Sequence, residues 1–435
     1  MNNVQVQEYL TQGTMLESQE QYEEALEYYN KALEIDPMNH DAYISKGVAL
    51  ANLERLEEAE NQFQNALKVN RNSGLAYFHL GNVALLSEEF ALGFENYNKA
   101  ISNGFDDSQI YYNLGLLHEE NGETDLALRN YTKAIGKDPL RPEIRLRKAQ
   151  LQIYLESYQE AMQPLDEMIL INPDVFEGYN VKFMLLIQLG QLDKAEELLE
   201  TAIKTFPNDA EFVINKASLL IEQGKTDEAF AVLKNLEETA EDDEIIHKIC
   251  LERSRIYATK QEVDNAITEL KKAKAISQKN DVYDIEAQFL ITNCYIAKND
   301  FEKVLEYSRE ILEKAEEDSY YVSTAQYYVP LALKNLGKTD EANELYQEAI
   351  EEFRSQGLSS PGNLETYLLR AMCHHDIEEH EQALDLVDYV IKLKPDIPEP
   401  RMQKIAILEA MGSTEEAEEE KKVVNTMLPP DARIK

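Results

Sequence analysis

The sequence predicts an all-α protein in which about twelve helix-turn-helix units stack into a solenoid. Composition is the first indication: Gly (16) and Pro (13) are scarce among 435 residues, while hydrophobic residues make up 43%, so core material is ample and helix breakers are few. An internal repeat is the second indication. A small residue opens the same pattern seven times at steps of 34 residues, at Ala25, Ala59, Gly93, Ala127, Ala161, Ala195 and Ala229.

Each unit is predicted to contain two amphipathic helices. The first helix carries an aromatic residue four positions before a glycine, as at Tyr9/Gly13, Tyr43/Gly47, Tyr77/Gly81 and Tyr111/Gly115. The second helix carries Ala127, Tyr131 and Ala134 at helical spacing, and Pro139 then ends it because proline cannot donate into a continuing helix. Neither helix can bury its apolar face alone, so the units must stack on one another.

These residues make the chain resemble a tetratricopeptide-repeat protein, in its period, its aromatic/Gly pair, its Ala–aromatic–Ala triplet and its terminal proline. The resemblance implies a right-handed superhelical solenoid whose first helices line a concave groove. It covers seven regular units over 6–243, then about five less regular units over 244–428, followed by a C-terminal tail at 429–435. In the second stretch the steps lengthen to between 37 and 41 residues before a last step of 34. Longer loops or helices extended by a turn would both explain this, and the extra residues represent either drift or a second partner site.

Charge and motifs exclude several classes of function. The chain has 43 Lys+Arg against 82 Asp+Glu, a net charge of −39, which argues against binding to nucleic acid. No apolar run approaches the roughly 20 residues of a membrane span, and no signal peptide is visible. The three cysteines form no CxxC pair, so we expect a cytoplasmic protein without disulfides. The acidic surface favours a monomer.

No sequence motif of an enzyme occurs, and we expect neither catalysis nor a cofactor. One ligand-like cluster runs from Cys373 through His374, His375 and Asp376 to His380. Its residue types could hold a divalent metal and support a metal-dependent enzyme. It falls where two helices should join, however, and we interpret it as an ordinary solvated polar turn.

The family resemblance also implies that the fifth, sixth and ninth positions of each first helix point into the groove. Over twelve units these positions include one carboxylate, although an acid fraction of 82 in 435 would give about seven. The predicted groove residues are Phe78, His79, Asn82, Tyr112, Asn113, Arg147, Gln150, Asn180 and Asn215. Asparagine offers a donor and an acceptor to a peptide backbone, and Arg147 is suited to a carboxylate.

Relatives that clamp the C-terminal carboxylate of chaperones use two lysines, two asparagines and an arginine. Asn82, Asn113 and Arg147 match that pattern, whereas Phe78 and Glu143 replace the lysines. A variant peptide site is therefore expected, with its three matching side chains solvated. The predicted function is a non-enzymatic scaffold or adaptor that binds an extended or helical protein segment. The alternative is a peptide-sensing regulator whose array changes pitch on binding.

Overall fold

The computed structural model describes residues 2–315, 319–360 and 362–428. Twenty-four α-helices and no β-strand occur in these ranges, and consecutive helices form twelve packed pairs. The predicted all-α repeat fold and number of units are thereby confirmed. The predicted tail, 429–435, lies outside the described residues. The contacts divide the chain into two compact parts, residues 1–207 and 208–435.

The first part contains six helix pairs. Its helices are α1 (Asn2–Glu17), α2 (Tyr22–Ile35), α3 (His40–Asn52), α4 (Leu56–Val69), α5 (Gly74–Leu86), α6 (Phe90–Ser102), α7 (Ser108–Glu120), α8 (Thr124–Lys137), α9 (Pro142–Tyr154), α10 (Tyr158–Ile171), α11 (Phe176–Gln188) and α12 (Leu192–Thr205).

Local chemistry sets the starts of the first helices, which from α3 to α11 follow one another at 34 residues. The side chains of Asn39, Ser73 and Asp107 each accept a hydrogen bond from a backbone N–H of the first turn. This satisfies a donor that has no partner within the helix. α9 has Pro142 at its first position instead, where the missing N–H costs nothing.

The second part contains the other six pairs. Its helices are α13 (Ala210–Glu222), α14 (Thr226–Glu237), α15 (Asp243–Thr259), α16 (Val263–Lys279), α17 (Ile285–Ala297), α18 (Phe301–Lys314), α19 (Tyr320–Asn335), α20 (Thr339–Ser359), α21 (Leu364–Asp376), α22 (His380–Leu393), α23 (Pro398–Ala410) and α24 (Thr414–Met427).

Most of the extra residues of the longer repeats lengthen helices. α15 and α16 have 17 residues each and α20 has 21, whereas α3 has 13 and α4 has 14. At 355–363, where the sequence left a longer loop and an extended helix both open, the chain is helical as far as Ser359. The extra residues at 280–283 form a short turn, and those at 317–320 fall partly outside the described residues.

The two helices of a pair pack by matching a small residue to a large one. A Cβ atom added to Gly115 would lie 2.4 Å from Cε1 of Tyr131, which is fully buried in the second helix of the same pair. A Cβ atom added to Gly13, Gly47 or Gly81 would likewise lie 2.4–2.5 Å from an aromatic ring of the second helix. Where the second helix carries Leu165 instead of an aromatic residue, the first helix carries Ala149. In these five pairs a glycine is therefore matched to a ring and an alanine to the smaller leucine.

Candidate binding surface on the first helices

One surface of α5, α7, α9 and α11, called the first-helix face, carries most of the predicted groove residues. Side chains at i, i+3 and i+7 share one side of a helix, so the sixth, ninth and thirteenth residues of each first helix define it. These residues are His79, Asn82, Leu86, Asn113, Leu116, Glu120, Arg147, Gln150, Tyr154, Val181, Met184 and Gln188. Leu86, Tyr154 and Met184 are exposed to 63%, 79% and 60%.

Side-chain amides connect α5 to α7 within this face. Asn113 Nδ2 donates to Asn82 Oδ1 at 2.9 Å and lies 2.9 Å from the Tyr97 hydroxyl oxygen, and the Tyr97 hydroxyl donates to Asn82 Oδ1 at 2.8 Å. Gln109 Nε2 in turn donates to Asn113 Oδ1 at 2.8 Å. The two asparagines are therefore held by each other and by the buried phenol.

An ion pair connects α7 to α9. Arg147 Nη2 lies 2.9 Å from Glu119 Oε1, and its Nε donates to Oε2 at 3.1 Å. The Tyr131 hydroxyl donates to the same carboxylate at 2.6 Å. Burial, with the adjacent Glu119 carboxylate, raises the pKa of Tyr131 above its ordinary value, so the phenol remains a donor. Arg147 thus has an intramolecular partner for its charge.

The expectation that three matching polar side chains are solvated does not hold. Asn113 is only 6% exposed, while Asn82 and Arg147 are half-buried and bonded to neighbouring helices. Phe78, also predicted in the groove, is 8% exposed and its ring lies 5.0 Å from that of Phe105. The reason is that adjacent first helices pack closely enough for their side chains to meet. Replacing these residues would disturb the fold as well as the surface.

The remaining predicted residues differ in accessibility. Gln150 is exposed, whereas Tyr112, Asn180 and, in the second part of the chain, Asn215 are half-buried. His79 stacks on Phe63, with ring centroids 5.0 Å apart and planes inclined by 10°. Burial lowers the pKa of His79 to about 4, so the ring is neutral at pH 7.

Sequence reasoning missed the thirteenth positions, at which all four side chains of the face are exposed. Leu86, Glu120 and Tyr154 all occupy this position in successive first helices. The helical period itself would have found them, because the thirteenth residue lies two turns beyond the sixth. The groove positions taken from the family resemblance stopped one turn short.

The Cys/His cluster lies at the turn between α21 and α22, as predicted, but it is packed rather than solvated. Cys373 and His374 are buried, and His374 Nδ1 lies 2.7 Å from Glu379 Oε2. Burial raises the pKa of the Cys373 thiol, which disfavours a nucleophilic thiolate. Among the described residues, no group of three His, Cys, Asp or Glu side chains is arranged to hold a metal ion.

Asp376, the last residue of α21, joins three helices of the second part. The hydroxyls of Tyr327 in α19 and Tyr346 in α20 donate to its Oδ2 at 2.8 and 3.0 Å. Lys334 Nζ lies 3.2 Å from its Oδ1. Burial and the nearby carboxylate raise the pKa of both tyrosines. This cluster is a structural connection between successive pairs.

None of the described helices combines the length and the continuous apolar character needed to cross a bilayer.

Three protein-family models match this chain, and all three have the same description. Models described as tetratricopeptide repeat match residues 6–39, residues 186–250, and residues 45–108, 112–174 and 331–398. Together these ranges cover more than half of the chain. No curated protein matches the sequence.

Several solved structures are similar over part of the chain. PilF of Pseudomonas aeruginosa is 18% identical, with a TM-score of 0.42 over 48% of this chain and 96% of its own. A tetratricopeptide-repeat protein from Parabacteroides merdae is 22% identical, with a TM-score of 0.37 over 59% of this chain and 98% of its own. YrrB, described as a TPR protein with an unusual peptide-binding site, is 21% identical. Its TM-score is 0.35 over 45% of this chain and 97% of its own.

Proposed function

Because the chain belongs to the tetratricopeptide-repeat family, we propose that it is a non-enzymatic scaffold or adaptor. Its first-helix face would bind an extended or helical segment of another protein. The observation that carries this proposal is the exposure of Leu86, Tyr154 and Met184 on one surface of successive helices. Large apolar side chains gathered on one surface are typical of a site that a partner covers.

Polar groups beside these side chains support a peptide as the ligand. Asn82 Oδ1 is occupied by Tyr97 and Asn113, while its Nδ2 group has no hydrogen-bond partner among the described residues. Its free N–H groups are therefore held in one orientation before a ligand arrives, which reduces the entropy lost on binding. Gln150, which is exposed on α9, offers a second amide. Both groups are suited to the C=O and N–H of a peptide.

Site-specific photo-crosslinking in the native cell would test the proposal. A photoreactive amino acid at Gln150 should capture a discrete partner protein. Gln159, an exposed glutamine on the second helix α10, provides the matched control and should capture none. Capture of the same protein from both positions, or from position 159 alone, would mean that the first-helix face is not the binding surface.

A further inference from the structure

The distribution of charge on the first-helix face indicates what kind of segment it accepts. Three of the four Lys and Arg side chains of its helices form ion pairs within the same part of the chain, and the fourth, Lys148, is half-buried at the seventh position of α9, outside the face. Arg147 is paired with Glu119, Arg145 Nε lies 3.2 Å from Glu167, and Lys182 Nζ lies 2.5 Å from Asp166. Glu167 and Asp166 belong to the second helix α10, so these cations are directed away from the face.

Carboxylates of the same helices and turns are left without cations. Glu88, Glu120 and Glu177 are exposed, and none of them forms an ion pair with any residue that the structure describes. Glu120 is the last residue of α7 and Glu88 lies two residues beyond the end of α5, whereas Glu177 lies near the N-terminal end of α11. The exposed apolar side chains therefore have unpaired negative charge at both edges.

Glu120 is the most informative of these carboxylates. It occupies the thirteenth position of α7, and the same position is Leu86 in α5 and Tyr154 in α9. An unpaired carboxylate thus lies in register between two exposed hydrophobic side chains of the neighbouring helices. The long alkyl chain of Lys or Arg fits such a site, since its stem covers apolar surface while its head meets the acid. The ring of Tyr154 adds a face that attracts cations.

We propose that the first-helix face of α5 to α11 selects a basic protein segment that carries Lys or Arg side chains interspersed with apolar ones. This inference rests on the proposed function and adds the chemistry of the partner. Charge complementarity orients the segment and speeds its association, while Leu86, Tyr154 and Met184 provide contact area. The depletion of carboxylates at the groove positions is consistent with it, because the unpaired acids lie at the ends of the helices and the sixth and ninth positions of these four helices carry none.

The spacing of the helices sets the length of the segment. Neighbouring packed helices lie about 8–10 Å apart, so the three steps from α5 to α11 span about 24–30 Å. An extended chain advances about 3.3 Å per residue, which gives about eight residues across the face and about three per helix. A basic residue at every third position would therefore meet one helix each.

Labelled peptides of about twelve residues would test this selectivity by fluorescence anisotropy with the full chain. The probe repeats Lys-Leu-Ser; one control repeats Glu-Leu-Ser and another Lys-Ser-Ser. We expect the Lys-Leu-Ser peptide to bind at least about tenfold more tightly than either control in about 0.15 M salt, where exposed charges beyond about 8 Å are screened. Equal or tighter binding of the Glu-Leu-Ser peptide, or no binding of the probe, would overturn the inference.

Two sets of variants separate the edge charges from the general acidity of the protein. In the first, Glu88→Gln, Glu120→Gln and Glu177→Gln are combined, and affinity for the probe should fall about tenfold. In the matched control, Glu57→Gln, Glu160→Gln and Glu197→Gln remove three exposed acids from the second helices α4, α10 and α12, and affinity should change less than about twofold. Equal losses in both sets would show non-specific attraction and overturn the inference.

A third variant keeps this result distinct from the proposed function. Leu86→Ser, Tyr154→Ser and Met184→Ser change exposed side chains and should leave the circular dichroism spectrum unaltered. If they abolish probe binding while the three glutamine changes at the edges do not, the face binds a segment but does not select a basic one. If Gln150 crosslinks a partner whose segment is acidic, the proposed function stands and this inference fails.

Discussion

Replacing Gly115 with alanine should destabilise the fourth helix pair, because a large ring already fills the space beside Gly115. The added Cβ would lie 2.4 Å from Cε1 and 2.6 Å from Cδ1 of Tyr131. Tyr131 has no exposed surface and its hydroxyl is bonded to Glu119. The ring therefore cannot move aside without leaving that carboxylate, and the backbones of α7 and α8 must separate instead.

The cost can be estimated from three contributions. Overpacking of a core contact costs about 1–3 kcal/mol. Weakening the hydrogen bond from Tyr131 to a carboxylate adds about 1–2 kcal/mol, and the better helix propensity of alanine returns about 1 kcal/mol. The expected loss is therefore about 1–4 kcal/mol in the free energy of unfolding.

Urea denaturation, with hydrogen exchange of the α7 and α8 amides as a local measure, would determine this loss. Gly136 is the control, since it is an exposed helical glycine of α8 whose added Cβ would meet nothing within 4 Å. Gly136→Ala should stabilise the protein by about 0.5–1 kcal/mol. If the Gly115→Ala protein is as stable as the parent, or if the amides of α7 exchange no faster, the contact with Tyr131 does not restrict the residue at position 115.

A compensating change would test the size rule directly. The fifth pair already combines Ala149 with Leu165, so Gly115→Ala together with Tyr131→Leu reproduces a solution found in the same chain. The double variant should lose less stability than the sum of the two single variants, with a coupling of about 0.5–3 kcal/mol. Simple additivity would contradict the reasoning.

Two further predictions concern buried residues of the same part. Ala127→Leu should lower the free energy of unfolding by about 1–3 kcal/mol, because Ala127 has no exposed surface in the core between α7 and α8; an unchanged urea midpoint would show that the site has room. His79 has a pKa of about 4 in the folded protein and about 6.5 in the unfolded chain, so the folded protein binds this proton more weakly. The contribution of neutral His79 to the free energy of unfolding is complete above pH 6.5 and is lost as the pH falls to 4. About 2 kcal/mol of it is lost by pH 5. His79→Phe should remove this component from denaturation measured at pH 7 and pH 5, and identical pH dependence in both proteins would refute it.

The regular part of the fold could be predicted because its signals are local. Asn39, Ser73 and Asp107 precede first helices as capping residues, and the 34-residue spacing of the packing positions fixes where the helices must contact. The choice between a longer loop and an extended helix at the end of α20 could not be made in this way. Its end contains Ser355 and Gly357, residues that favour a turn. Tyr367 of α21 packs against Gly357 and donates its hydroxyl to the Gly357 carbonyl at 3.1 Å, so a contact from the next helix supports the extra turn.

The sequence could place the candidate residues along each first helix, but it could not give the state of their side chains. The fifth, sixth and ninth positions indicated which residues of each first helix lie on one side. They could not indicate that Asn113 bonds Asn82, 31 residues earlier, or that Arg147 pairs with Glu119, 28 residues earlier. Such partners depend on the distance between adjacent helices, which a single sequence does not specify. The 79% exposure of Tyr154 likewise depends on how its neighbours pack, since no residue in the described part of the chain covers the ring.

The bonds at Asp376 limit how this array can change in evolution. Repeat proteins grow and shrink by gain or loss of whole repeats, which is harmless where each helix pair satisfies its own polar groups. Deleting the pair α21–α22 would leave the buried hydroxyls of Tyr327 and Tyr346 without an acceptor in the preceding pair. Each unsatisfied buried group costs about 1–3 kcal/mol. We therefore expect the tenth and eleventh repeats to be gained or lost together, whereas the fourth repeat, in which Tyr131 bonds Glu119 of its own pair, can be duplicated with that bond intact.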